Sequence, residues 1–565
     1  MPTADSAPAA ARRFDDGRPE ADRPADPPLA AARRFDDRGV EADRLAADPT
    51  LAAARYLDAA LPTADRRVPS LLMLPIRERL RLLADGSLDR DEWASAADEW
   101  ARVADTRYRA CTQLRDGHPD LPPLRVGVKD TIDIAGFATT LGLRRHRHHP
   151  THDAAAARGL RELDIVAKLV TTEVNIGIGS GCTNPAFPRI DPAGSSTGCG
   201  VAVAAAICDL ALGTDVLGSV RWPAGRCGMV GLRMTHDPTA MTGVFPLSPA
   251  MDAPGWVARS ADDLLILAAH AGLPFGRAAA ARYAASPGSA GKYAASPGSA
   301  VTARPADFAG SAGTGRPADL AGLAAVAAVF ANAAEPIRAP RRRIGIVAEV
   351  ASGQGADPEI LSALKLTADL LTESGHTMTE RPIGDLWQHR ATAWDLCARE
   401  AWNGFQTWQT HLADPSDLSD STRRALESGA RISDHRYAQA RTALAATRSS
   451  TTALFANVDA WLLPLDPDVP APRDARPRAA SSLVTPDHPD YDREVGYTPL
   501  ASFAGLPAVT FPVAIHQPWQ APLAMQLLGP PGAEADLLEL VRELELVRGP
   551  LDVSPRWGLK VKVKS

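Results

Sequence analysis

Short apolar runs alternate with longer segments of helical length along most of the chain, between about residues 120 and 545. The short runs are typical of buried strands, whereas the longer segments predict helices. Residues 196–212 have apolar side chains on almost every side and predict a buried helix. The alternation predicts an α/β domain in which helices cover both faces of a large sheet. The predicted strands are 125–129, 164–168, 343–347, 458–464 and 508–513, and the other predicted helices are 153–163 and about 359–374.

Three segments differ in composition from this domain. Residues 1–60 are rich in alanine and charged residues and predict a disordered tail. Their near-repeat around Phe14 and Phe35 has two copies, too few for a solenoid. The segment from about residue 277 to residue 338 contains a short sequence that starts at Tyr283 and is repeated ten residues later. Its composition predicts a flexible insertion. With residues 549–565 as a C-terminal tail, the domain is predicted to span residues 61–548.

Charge and composition exclude several classes of protein. The chain has 61 Lys and Arg against 67 Asp and Glu, a formal charge of -6, which argues against binding nucleic acid through charge. No apolar run approaches the roughly 18–20 residues of a membrane helix, and no apolar stretch follows Arg12 and Arg13 as an export signal requires. Six cysteines without a closely spaced pair fit a reducing compartment. We expect a soluble, cytoplasmic protein from a bacterial source.

Two glycine- and serine-rich turns flank the predicted buried helix and are candidates for chemistry. The first, residues 192–200, lacks the Gly-Lys-Ser/Thr of a nucleotide-binding P-loop and the glycine spacing of a dinucleotide-binding fingerprint. By itself it is compatible with a phosphate cradle, a tight turn or a catalytic loop. The second, residues 212–224, carries Asp215 and Arg221, which could form a charge-assisted hydrogen bond that supports the loop.

A lysine upstream of both turns is the third candidate. Lys129 ends an apolar strand, and burial disfavours the charged form of a lysine unless it has an ionic partner. Asp130 and Asp133 are possible partners close in sequence. The alternative is a lysine with a lowered pKa, which can act as a base.

Together these residues resemble the amidase signature family. The matching segments occur in the family's order, and the separation of 24 residues between Ser195 and Ser219 matches the spacing of its two serines. The resemblance spans about residues 70–545 apart from the insertion, and it implies a large mixed sheet with helices on both faces. The matching segments are 127–130, 168–173, 194–198, 213–224, 227–232, 504–513 and 523–529.

The resemblance implies a Ser–Ser–Lys triad that requires neither a metal nor a cofactor. Ser219 would be the nucleophile that forms an acyl-enzyme, Ser195 would relay its proton, and a neutral Lys129 would be the final base. In the family, a cis peptide bond after Gly194 holds the relaying serine. The resemblance also implies an oxyanion hole formed by the backbone N–H groups of Val216, Leu217, Gly218 and Ser219. Supporting roles are implied for Ser196, Asp215 and Arg221.

Four positions depart from the family's pattern. The family has Thr-Gly-Gly-Ser where this chain has Val-Leu-Gly-Ser at residues 216–219. Leucine does not easily adopt a positive φ, so the oxyanion hole would be altered if that geometry were required at Leu217. Since its N–H group remains available, we interpret the change as a constraint on the pocket and not as a loss of activity. Cys199 and Ala193, in place of a serine and a glycine, are milder changes.

Two other clusters have a structural and a functional interpretation. Residues 144–152 contain three arginines and four histidines. A solvated basic loop is favoured over a metal site, because the arginines would repel a cation and no carboxylate or cysteine completes the ligand set. A stripe of aromatic residues at helical spacing favours a position in the core, with an aromatic wall of the substrate pocket as the alternative. The stripe consists of Trp387, Trp394, Trp402, Phe405 and Trp408.

These features predict a cytoplasmic amidase that hydrolyses a small carboxamide without nucleic acid, membrane, metal or cofactor, and for which a homodimer is one possible assembly. The alternatives are an amidotransferase A-type subunit, which passes ammonia to an activated acyl group together with partner chains, and a non-catalytic paralogue. The motifs do not identify the amide, because specificity in this fold depends on loops and on the variable region after about residue 380.

Overall fold

A mixed sheet of eleven strands runs through the described part of the chain. The computed structural model describes residues 70–118, 124–176, 179–284, 340–352, 356–412, 415–473, 496–551 and 553, so the predicted tail 1–60 and residues 285–338 of the predicted insertion lie outside the described residues. The strands are β1 (Cys111–Leu114), β2 (Arg125–Lys129), β3 (Asp164–Leu169), β4 (Leu210–Asp215), β5 (Val230–Arg233), β6 (Ala253–Ala258), β7 (Arg343–Val347), β8 (Thr377–Arg381), β9 (Ala460–Pro464), β10 (Ala508–His516) and β11 (Ala521–Leu528).

The strand order is β1-β3-β2-β4-β6-β5-β10-β11-β9-β7-β8. Strand β2 pairs in parallel with β3 and β4, and β7 pairs in parallel with β8 and β9, whereas the other neighbours are antiparallel. The prediction of a large mixed sheet is therefore confirmed, as are the five predicted strands. Because β2 and β4 are parallel neighbours, their carboxyl ends meet at one edge of the sheet, where binding sites commonly form.

Helices cover both faces of this sheet. Leu210 and Leu212 of β4 belong to one buried apolar cluster, and Ala211 between them belongs to a second. Since successive side chains of a strand point to opposite faces, the two clusters form separate cores on the two sides. The α-helices are α1 (Ser70–Met73), α2 (Ile76–Ala84), α3 (Arg90–Tyr108), α4 (Thr197–Ala204), α5 (Arg221–Cys227), α6 (Ala261–His270), α7 (Pro274–Ala284), α8 (Ala348–Ala351), α9 (Pro358–Glu373), α10 (His389–Trp408), α11 (Asp420–Ala430), α12 (Asp434–Ser449), α13 (Thr451–Leu454), α14 (Pro499–Ala504) and α15 (Glu534–Arg548).

Polar residues fix the starts of several helices. The side chains of Asp89, Ser260 and Asp357 accept hydrogen bonds from backbone N–H groups in the first turns of α3, α6 and α9. Such a cap contributes about 1 kcal/mol to stability because it satisfies a donor that the helix leaves unpaired. Helix α9 confirms the helix predicted near residues 359–374.

The prediction of a helix over residues 153–163 is wrong. Two short 3₁₀ turns, Ala155–Ala157 and Leu160–Glu162, occupy this segment. Gly159 between them has a φ of 84°, and a Cβ at this position would lie 2.1 Å from the carbonyl oxygen of Ala271. The close approach of the two backbones therefore requires glycine in a left-handed conformation, and that conformation interrupts an α-helix.

The buried helix predicted over residues 196–212 is shorter than expected. Helix α4 ends at Ala204, Ala206 has a positive φ of 58°, and the chain continues into β4 from Leu210. The helix and the strand are both buried on all sides, so a continuous apolar run does not show where one ends and the other begins. Helix α7 runs to Ala284, which places the first residues of the predicted insertion in a helix.

Candidate active site

Lys129 ends strand β2 and its side chain is completely buried. Its Nζ donates hydrogen bonds to Ser195 Oγ and to Thr214 Oγ1, each over 2.8 Å. Burial lowers the pKa of Lys129 to about 7, an effect that the carboxylates of Asp252 and Asp215 oppose only in part. An amine with a pKa near 7 is partly neutral at physiological pH and is suited to accept a proton.

The ionic pairing considered for Lys129 belongs to a different lysine. Asp130 Oδ1 lies 3.7 Å from the Nζ of Lys168, which lies near the end of the neighbouring strand β3. Asp133 instead accepts a hydrogen bond from Thr139 Oγ1 over 2.8 Å. Among the described residues, no carboxylate lies within ion-pair distance of the Lys129 amine, so the salt-bridge interpretation of this lysine is wrong.

The first glycine- and serine-rich turn connects the lysine to strand β4. The peptide bond of Gly194–Ser195 is cis, as the resemblance implied. The N–H group of Ser196 donates to the carbonyl oxygen of Ser219 over 3.1 Å, and the Ser196 hydroxyl donates to the carbonyl oxygen of Thr214 over 3.0 Å. Ser196 thus links the first turn to both β4 and the second turn, and its supporting role in the reaction stays a prediction.

Ser219 lies in the second turn, between strand β4 and helix α5. Its side chain is half-buried, whereas Ser195 is 1% exposed. Of the two serines predicted for the triad, Ser219 is therefore the more exposed. The structure brings all three predicted residues together: the side chains of Lys129 and Ser195 are hydrogen-bonded, and the backbone of Ser219 is bonded to the residue after Ser195.

The loop before Ser219 has a positive φ at one position. Gly218 has a φ of 109°, and a Cβ there would lie 2.8 Å from Thr498 Oγ1. Leu217 has no positive φ, so the leucine does not distort the loop. The N–H group of Gly218 donates to Asp215 Oδ1 over 2.9 Å. The N–H groups of Val216, Leu217 and Ser219 are consequently the stronger candidates for binding an oxyanion.

A buried network of charges supports this loop. Burial alone would raise the pKa of Asp215, but Arg221 and Arg233 hold it well below its usual range. Arg221 donates to both carboxylate oxygens of Asp215, over 3.0 and 2.9 Å, and its remaining donors bond Thr498, Ser502 and Gln526. Arg221 is completely buried, so it contacts the loop from the protein interior.

Three residues of the site were not identified from the sequence. Thr214 is the second hydroxyl partner of Lys129, and its place between Gly213 and Asp215 in the matching segment was the available signal. Arg233 donates to Asp215 from strand β5. Thr498 Oγ1 donates to the carbonyl oxygen of Leu217 over 2.6 Å, although the two residues are 281 positions apart in the sequence. No local sequence pattern identifies Thr498 as part of the site.

The two other clusters lie outside this network. The side chains of residues 144–149 are exposed or half-buried, as expected of a solvated basic loop. In the part of the chain that the structure describes, no three His, Cys, Asp or Glu side chains are grouped to hold a metal ion. Phe405 is buried, in agreement with a core role, and packs against Trp408 with ring centroids 5.1 Å apart. Trp387 stacks on Tyr497, the residue before Thr498, so the aromatic-wall alternative stays a prediction.

Comparison with known proteins identifies the family. The sequence profile of the Amidase family matches residues 90–272 and 326–538, and the chain belongs to this family. The gap between the two matched parts, residues 273–325, overlaps most of the predicted insertion. The A-type subunit of glutamyl-tRNA(Gln) amidotransferase from Thermus thermophilus is 27% identical over 459 residues, which cover 76% of this chain and 85% of that protein.

Other curated relatives match over a shorter length. The translocon at the outer membrane of chloroplasts 64 from Pisum sativum is 37% identical over 158 residues, and the chain spans about a quarter of the length of this relative (26%). Among solved structures, one described as an amidase has a TM-score of 0.61 at 23% identity, over 84% of this chain and 100% of that chain. A 6-aminohexanoate cyclic dimer hydrolase has a TM-score of 0.61 at 19% identity, over 85% and 98%. These structures share the fold. None of the helices described for this chain is both long and apolar enough to cross a membrane.

Proposed function

We propose that this protein is an amidase that hydrolyses a small carboxamide to a carboxylate and ammonia or an amine, through an acyl-enzyme on Ser219. The surroundings of Lys129 carry the proposal. The amine is completely buried and bonds two hydroxyl groups, and within the described ranges no carboxylate lies close enough to form an ion pair. A charged ammonium is unfavourable in such surroundings. The site therefore favours the neutral amine that a base must be.

Acylation begins when Ser219 Oγ attacks the carbonyl carbon of the amide. The proton of Ser219 passes to Ser195 Oγ, and the proton of Ser195 passes to Lys129 Nζ, which becomes an ammonium. The negative oxygen of the tetrahedral intermediate accepts hydrogen bonds from the N–H groups of Val216, Leu217 and Ser219. The C–N bond then breaks, and the proton returns from Lys129 through Ser195 to the leaving nitrogen.

Deacylation repeats the same transfers with water as the nucleophile. Water attacks the ester carbonyl of the acyl-enzyme, and its proton passes through Ser195 to Lys129. The C–O bond to Ser219 then breaks, the proton returns to Ser219 Oγ, and the carboxylic acid leaves and ionises in solution. No step requires a group that the chain does not supply, apart from water.

The test combines an amide library with a covalent probe. Wild-type protein should release ammonia or an amine from at least one small carboxamide, and a fluorophosphonate should label Ser219. Ser219→Ala should lose both properties in folded protein, with a fall of several powers of ten in rate. Retention of more than about a tenth of the activity would place the nucleophile elsewhere. A wild-type protein that shows neither turnover nor labelling would be a non-catalytic member of the family.

An amidotransferase component is the second candidate. The observation that favours it is the similarity over 76% of the chain to a protein named as part of a glutamyl-tRNA(Gln) amidotransferase. In that case the chain would release ammonia from glutamine only when partner chains are present, and ammonia would pass to an activated acyl group. Turnover of a simple carboxamide by the isolated chain would favour the amidase, whereas glutaminase activity that depends on partner chains would favour the amidotransferase.

A further inference from the structure

Leu217 and Ser219 are both half-buried. From Ser195 to Arg221 every residue is buried except these two. They lie two positions apart in one loop, on either side of the buried Gly218. This otherwise buried stretch is therefore partly exposed at one candidate nucleophile and at one leucine close to it in the same loop.

The backbone that carries this leucine is held in place. Thr498 Oγ1 donates to the Leu217 carbonyl oxygen over 2.6 Å, and Asp215 Oδ1 accepts a bond from the Gly218 N–H group over 2.9 Å. The leucine side chain also packs partly against the apolar core. A loop held by these two bonds cannot easily move the Leu217 side chain relative to Ser219.

We infer that the Leu217 side chain forms a wall beside Ser219 and restricts the acyl group to one whose carbon next to the carbonyl is unbranched. This inference rests on the proposed function. The acyl group stays bonded to Ser219 between the two half-reactions, so it must fit beside the leucine throughout. A glycine at position 217 would leave this space open, and the four additional side-chain carbons of leucine fill part of it.

The test compares p-nitrophenyl propionate with p-nitrophenyl isobutyrate, which differ by one methyl group on the carbon next to the carbonyl. The activated leaving group makes acylation of Ser219 measurable even if the corresponding amide is a poor substrate. One methyl group in a confined apolar site is worth about tenfold or more in kcat/KM. Wild-type protein should prefer the propionate, and Leu217→Ala and Leu217→Gly should reduce this preference about tenfold. Leu217→Phe should strengthen the preference, which keeps the inference testable if the smaller side chains destabilise the loop.

Two controls separate the possible failures. Val220→Ala removes a buried side chain next to Ser219 and should leave the propionate-to-isobutyrate ratio unchanged, and Ser219→Ala measures the reaction at other nucleophiles. If acylation depends on Ser219 but every Leu217 variant has the wild-type propionate-to-isobutyrate ratio within about twofold, the inference about Leu217 is overturned and the proposed function stands. If neither ester acylates Ser219, the proposed function fails and the inference fails with it.

Discussion

Two buried lysines lie near the ends of neighbouring parallel strands of this protein, and their amines have different surroundings. Lys129 and Lys168 are both completely buried, on strands β2 and β3. The amine of Lys129 bonds the hydroxyl groups of Ser195 and Thr214. The amine of Lys168 bonds the carbonyl oxygen of Ile132 over 2.7 Å and has the Asp130 carboxylate at 3.7 Å.

The difference lies in the counter-charge. Burial lowers the pKa of both lysines, and for Lys168 the charge of Asp130 opposes that shift more than any other group. Hydroxyl groups can accept hydrogen bonds from an amine without supplying a negative charge, so they position Lys129 and leave it easy to deprotonate. We therefore expect Lys129 to act as a base and Lys168 to act as half of a structural ion pair.

The largest expected effect separates the two lysines by activity. Lys129→Arg should lower kcat/KM about 10²–10⁴-fold, because arginine stays protonated and cannot accept the relayed proton. Lys168→Arg keeps the charge beside Asp130 and should retain activity within about tenfold in folded protein. Steady-state kinetics on a substrate from the amide library measures both variants. An active Lys129→Arg enzyme would remove this lysine from the mechanism.

The next effect separates the lysines by stability. Lys168→Met leaves the Asp130 carboxylate buried without its partner and should cost about 3–5 kcal/mol in the free energy of unfolding. Lys129→Met leaves two hydroxyl groups and no buried charge, and it should cost much less. Urea denaturation measures both, and Lys168→Met combined with Asp130→Asn should recover part of the loss. Equal losses for the two methionine variants would contradict the assignment of the ion pair to Lys168.

A smaller effect concerns the hydroxyl that positions the base. Thr214→Val removes one of the two acceptors of Lys129 and should lower kcat/KM about fivefold, since one hydrogen bond contributes roughly 1 kcal/mol. Thr214→Ser keeps the hydroxyl and should restore most of the activity. The valine variant should also shift the acidic limb of the pH profile of kcat/KM to lower pH, because the protonated amine of Lys129 loses a hydrogen-bond acceptor. If Thr214 had only a structural role, its replacement would change the stability of the protein without moving that limb.

The motifs around the two serines predicted the residues of the site but not all of their partners. Asp130 follows Lys129 directly and was an obvious candidate for its ionic partner. Successive residues of an extended chain point to opposite sides, so the carboxylate of Asp130 is directed to Lys168 on the next strand and not to Lys129. The pairing depends on the order of the strands, which the sequence does not specify.

Contacts between distant parts of the chain could not be predicted for the same reason. Arg233 reaches the loop of Ser219 from strand β5, and Thr498 reaches it from the turn before helix α14. The helix predicted around residue 159 fails because of a contact with Ala271, a residue more than one hundred positions away. Strands β2 and β3 were predictable, in contrast, because burial on both faces gives each a short continuous apolar run, whereas the same kind of run hid β4 within a predicted helix.

The most direct test of the neutral lysine is the pH dependence of kcat/KM, measured between about pH 5 and 10. Lys129 is protonated below its pKa of about 7 and cannot accept a proton, so kcat/KM should rise with pH up to about 7 and then level off. Asp252, a buried carboxyl group whose pKa burial raises to about 6, is the competing explanation. Asp252→Asn should keep the acidic limb and move it to lower pH, because the charge of Asp252 raises the pKa of Lys129. A flat profile in the wild type, or an acidic limb that disappears in Asp252→Asn, would contradict the account.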